Sequence, residues 1–146
     1  MNELESLILC GKFQKAEKLF YEQEIEEAVG KLQEIAFDTQ NILVYTFVIH
    51  LILQRETSKL HLIASELMAL PFCFIEGGYS TAFYHAKKAV ELSPQDSGLK
   101  EFLLFFHEIP DTLLSKEESI DIAIEVVKEI PNSKPASKVL KRYNIK

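Results

Sequence analysis

Cysteine is scarce in this 146-residue chain, with Cys10 and Cys73 alone. Two thiols so far apart build neither a disulfide framework nor a structural zinc site. Both lie in apolar runs, LILCG and PFCFI, and are expected to be buried free thiols, as in a reducing compartment. Glycine is confined to positions 11, 30, 77, 78 and 98. The pair Gly77-Gly78 lacks a following Lys-Ser or Lys-Thr, so there is no phosphate-binding loop of that type. No G-x-S-x-G elbow, H-E-x-x-H or C-x-x-C occurs, and no histidine lies within four residues of another histidine or a cysteine. Long apolar runs are missing too. The longest, Ile42 to Leu53, includes Thr46 and His50 and is too short to span a bilayer. The first residues carry two glutamates and no basic segment, unlike a secretory signal. A cytoplasmic protein with no membrane segment, cofactor or metal is therefore expected, and one that is not an enzyme.

What the chain does have is helical punctuation. Apolar residues recur at three- and four-residue spacings between the glycines and the prolines at 71, 94, 110, 131 and 135. A short first helix around Leu4, Leu7 and Ile8 stops near Gly11; Phe13, Ala16, Leu19 and Phe20 line a second. A third carries Ile25, Ala28, Val29, Leu32 and Ile35 and is expected to end before Asp38. The fourth, from about Gln40 to Arg55, is apolar nearly all round, which suggests a buried position. Ser58 can cap a fifth helix that Pro71 halts, a sixth runs from Tyr79 to Leu92, and residues 97–107 make a seventh. Ser115 and Glu118 fit an S-x-x-E capping box, which predicts an eighth helix over 116–130, and the basic tail makes a short ninth. The fold class is all-α, a single domain over residues 1–146 with about 8–9 helices.

The net charge of −6 is uneven. Residues 134–146 hold five bases and no acid, while the other 133 residues hold 11 bases against 22 acids. An acidic body repels nucleic acid and attracts basic protein surfaces. Five tail charges would make only a weak, salt-sensitive nucleic-acid contact, so direct nucleic-acid binding is not expected.

Three features could carry recognition. Glu22, Glu24, Glu26 and Glu27 place four carboxylates within six residues at a helix–helix junction, which would speed capture of a basic partner. They equally suit a solvated helix start, where the dipole favours glutamate. Glu117, Asp121 and Glu125 stand at i, i+4 and i+8 beside Glu118, an outward acidic stripe opposite Ile120, Ala123, Ile124 and Val127. Like charges at that spacing repel, and no lysine at i+4 offsets Glu117 or Asp121. The third is an aromatic knot around Glu76, in which Phe72, Phe74 and Phe83 are expected in the core and Tyr79 and Tyr84 at an interface. Of the histidines, His50 and His61 lie on apolar faces, His85 could sit at a surface, and His107 has Glu108 or Asp111 as local partners.

GKFQKAEKLF and AFYHAKKAVELSP resemble tetratricopeptide units in the offsets of Gly11, Phe13, Ala16 and Phe20 and of Ala82, Ala89, Val90, Leu92 and Pro94. IAIEVVKEIPN is a weaker echo, with Val126 where that pattern has alanine. The resemblance implies a degenerate stack of antiparallel helical hairpins. Residues 79–132, with the words LLFFHEIPD and a following capping-box helix, also resemble small bacterial immunity proteins. Those are encoded beside polymorphic or contact-dependent growth-inhibition toxins, which include RNases of the EndoU type. This resemblance implies an immunity protein that plugs the basic active-site cleft of a cognate toxin, a nuclease, and a monomer is expected. The alternative is a tetratricopeptide-like adaptor for peptides, whose grooves are usually basic where this chain is acidic.

Overall fold

The computed structural model describes residues 2–146, and every regular element among them is helical. In chain order these are α1 (Glu3–Leu9), α2 (Phe13–Tyr21), α3 (Ile25–Thr39), α4 (Leu43–Gln54), α5 (Ser58–Ala69), α6 (Gly78–Leu92), α7 (Ser97–Leu103), α8 (Phe105–Glu108), α9 (Lys116–Glu129) and α10 (Lys134–Arg142). Local chemistry sets most boundaries. Asn2 Oδ1 accepts from the Glu5 amide at 2.7 Å, Asp96 caps α7, and Ser133 caps α10 with Pro135 in its first turn. Ser115 accepts from the Glu118 amide at 3.1 Å, so α9 begins where the capping box places it.

Four boundaries differ from the sequence reading, among them the start of α4, which lies at Leu43 and not near Gln40. Thr57, not Ser58, caps α5, because its Oγ1 reaches the Leu60 amide while the Ser58 hydroxyl accepts from Ser93. The helix α3 continues past Asp38 to Thr39 and ends where Gln40 adopts a left-handed conformation. The expected helix over 97–107 breaks at Leu104 into α7 and the single turn α8, which lets Phe102, Phe105 and Phe106 face one another.

Buried side chains from Leu4 to Val139 form one continuous hydrophobic cluster. Phe20 and Phe47 are fully buried with ring centroids 6.0 Å apart, and Phe106 meets Phe83 at 5.2 Å in the other half. The α5/α6 pair packs through small residues, Ala64, Ser65, Ala82 and Ala86, all buried. Ser65 Oγ donates to the Ala82 carbonyl at 2.7 Å across that seam. Gly78 is needed at the head of α6, because a Cβ there would lie 2.8 Å from the Phe72 carbonyl oxygen. The helix α10 folds back on α9, and α7 also lies against α9.

Several burial expectations are overturned. Cys10 is exposed as the C-cap of α1, and Cys73 is half-buried in the turn after α5. Phe74 is exposed, whereas Phe72, two residues earlier in the turn after α5, is fully buried. In α4 one face is buried (Val44, Phe47, Val48, Leu51), whereas Leu53, and Ile42 just before the helix, face solvent. Ile124 is exposed because the buried stripe of α9 runs through Ser119, Ala123 and Val126.

Candidate partner-binding surface

The acidic run straddles the connection between α2 and α3. Glu22 closes α2, Glu24 opens α3, and Glu26 and Glu27 occupy its first turn, all exposed. The helix dipole there favours carboxylates, so the local fold itself tolerates this density. Only Glu26 has an internal cation, Lys59 of α5 at 3.0 Å. Among the described residues, Glu22, Glu24 and Glu27 have no basic side chain within 4.0 Å. Tyr21, half-exposed at the same junction, adds an aromatic face.

The α9 stripe is likewise only partly compensated. Lys100 of α7 reaches Glu125 at 2.7 Å, and that contact holds the Glu125 carboxyl below its usual range. The uncompensated stripe read from the sequence is therefore shortened by one residue, since a lysine from another helix supplies the missing cation. Glu117, Glu118 and Asp121 stay exposed with no such partner among the described residues. At the aromatic knot, Glu76 and Tyr84 are exposed, whereas Tyr79 is half-buried with its ring 6.1 Å from Phe105. The exposed aromatics there are Phe74 and Tyr84. The three groups of candidate residues lie on different elements, and no hydrogen bond or ion pair joins one group to another.

The histidines are all engaged. His50 meets Glu17 at 2.8 Å. His85, expected at a surface, is buried: its Nδ1 lies 2.9 Å from His61 Nδ1 and its Nε2 lies 2.8 Å from the Tyr45 hydroxyl. His61 Nε2 in turn lies 2.7 Å from Glu56. Burial, reinforced by His61, pushes the His85 pKa down to about 4. His107 faces neither Glu108 nor Asp111. Its Nδ1 donates to the Leu114 carbonyl and its Nε2 accepts from the Tyr143 hydroxyl at 2.7 Å, because the ring turns inward against α10.

Two features escaped the sequence reading. One is that histidine chain. The other is a groove of about 760 Å³ between α5, α7, α8 and α10, floored by Leu62, Leu99, Phe102, Leu104 and Phe105. Glu66, Asp96, Glu101 and Glu108 stand on its walls, with Lys134 and Lys138 of α10. Burial raises the Glu66 carboxyl pKa; Lys59 opposes that shift and Glu26 adds to it. No run of residues encodes the groove, since its walls come from helices far apart in the chain.

No family model, curated protein or solved structure matches this chain. The surface must therefore be read from its own chemistry. The basic tail does not offer five free charges: Arg142 and Lys138 both bind Glu108, at 2.7 and 3.5 Å. Burial acts to raise the Glu108 carboxyl, but those two cations outweigh it and hold it below its usual range. No helix among the described residues is long and apolar enough to cross a membrane.

Proposed function

We propose that this protein is an immunity protein, which binds a cognate toxin and blocks its basic active-site cleft. The observation that carries the proposal is the unpaired acid at the α2/α3 junction. Glu22, Glu24 and Glu27 are fixed at a helix boundary, exposed, and have no cation of their own among the described residues. A nuclease cleft gathers lysine and arginine to hold phosphates, and a rigid acidic surface would compete for it. Opposite charge also speeds encounter, by factors of about 10–10³ at low salt. The resemblance of residues 79–132 to immunity proteins supplies the class of partner. Glu117, Glu118 and Asp121 on α9 form a second candidate contact.

The test is to co-express the protein with the product of the neighbouring reading frame. Rescue of growth is expected with the native chain and its loss with Glu22, Glu24 and Glu27 all changed to Lys. A neighbouring product that is harmless alone, or rescue that survives charge reversal at both patches, would overturn the proposal.

A further inference from the structure

The groove between α5, α7, α8 and α10 is not used by the acidic junction just described. Its floor is apolar, made by Leu62, Leu99, Phe102, Leu104 and Phe105. At about 760 Å³ it lies within the range of clefts that hold a ligand, roughly 300–1,000 Å³. That space also suits a run of several side chains from another protein.

The charges around it are of both signs and not equivalent, four carboxylates standing against Lys134 and Lys138 of α10. Asp96 is committed to capping α7, and Glu108 is committed to Arg142 and Lys138. Glu66 and Glu101 make no hydrogen bond or ion pair with another side chain among the described residues. Glu66 is a half-buried carboxylate beside apolar floor, which is costly for its charged form. A cation brought into the groove would remove that cost. Among its charged neighbours Lys59 opposes the burial shift and Glu26, to a smaller degree, adds to it.

We infer that the groove receives an amphipathic segment of a partner protein, an apolar side chain entering the floor while a Lys or Arg meets Glu66 and Glu101. This rests on the reading of a basic protein partner and adds where that partner inserts. A small apolar ligand would use the floor and leave both carboxylates unmet. A phosphate-bearing ligand would find Lys134 and Lys138 on α10 outnumbered by the carboxylates of Glu66, Asp96, Glu101 and Glu108.

The probe is a fluorescein-labelled 14-residue peptide of alternating leucine and lysine pairs, titrated with the full chain and followed by anisotropy. A matched leucine–glutamate peptide is the control. Saturable binding of the lysine peptide is expected. Glu66→Gln with Glu101→Gln should weaken it at least tenfold, and Leu62→Arg, which fills the floor, should abolish it. Circular dichroism checks that the variants fold, and the isosteric glutamine pair keeps the test valid should Leu62→Arg unfold. Equal affinity of native and glutamine-pair proteins, equal binding of the glutamate peptide, or loss of binding only on neutralising Glu22, Glu24 and Glu27 would overturn the inference. So would self-association abolished by Leu62→Arg, which would make the occupant a second copy. Rescue from the toxin without peptide binding would sink the groove alone, and peptide binding without rescue would sink the toxin reading alone.

Discussion

His61 and His85 meet nitrogen to nitrogen, Nδ1 to Nδ1 at 2.9 Å, inside the seam between α5 and α6. A carboxylate can only accept, so Glu56 fixes the direction of the whole chain. His61 Nε2–H donates to Glu56, His85 Nδ1–H donates to His61, and the Tyr45 hydroxyl donates to His85 Nε2. Every polar atom of both rings then has a partner.

Acid should therefore loosen the fold in a defined window. The His85 pKa is about 4 in the folded chain against the usual 6.5, so between those values the unfolded chain binds a proton that the folded chain refuses. Its contribution is fully present above pH 6.5 and declines as pH falls to 4, by at most about 3 kcal/mol. Urea unfolding at a series of pH values should show this slope, and His85→Gln should flatten it. Glu56, Glu108 and Glu125, all held below the usual carboxylate range, act at lower pH and in both proteins. Parallel slopes for the native chain and His85→Gln would show that His85 is not the titrating group.

Glycine should matter at one helical position and hinder at another. Gly78→Ala drives a Cβ to 2.8 Å from the Phe72 carbonyl and 3.3 Å from the Cys73 carbonyl, both backbone, and should destabilise by about 1–3 kcal/mol. Gly30, inside α3, has open space at its Cβ, and Gly30→Ala should stabilise by about 0.5–1 kcal/mol. Denaturation midpoints that move in the same direction would contradict this account.

The hydroxyl of Tyr143 should help hold α10 in place. Tyr143→Phe leaves the His107 Nε2 acceptor without its donor, which should cost about 1–3 kcal/mol. Hydrogen exchange should then quicken over residues 134–142 more than over α4. Uniform protection across both helices would place the stability of the tail elsewhere, in the Glu108 pairs.

Breaking the surface pair of Lys59 and Glu26 should do little to stability, within about 1 kcal/mol, since Glu26 is largely exposed. Lys59→Ala should instead strengthen capture of a basic partner, because it frees a fourth carboxylate at the junction. Slower association with the toxin after this change would argue against the junction as the contact.

Helix type and several boundaries were legible in the residues because their causes are local. The Ser115 cap, the stop at Gly11 and the three-and-four spacing of apolar residues all act within about one turn of the chain. The excess of acid was equally plain, being a count. What the spacing could not show is which charges find partners, because those partners come from other helices. Glu26 and Lys59 are 33 residues apart, Lys100 and Glu125 are 25, and His61 and His85 are 24. Periodicity tells which face of a helix turns inward, but only packing decides which other helix it meets. The histidine chain and the groove are products of that packing, whereas the acidic junction was already written in Glu22, Glu24, Glu26 and Glu27.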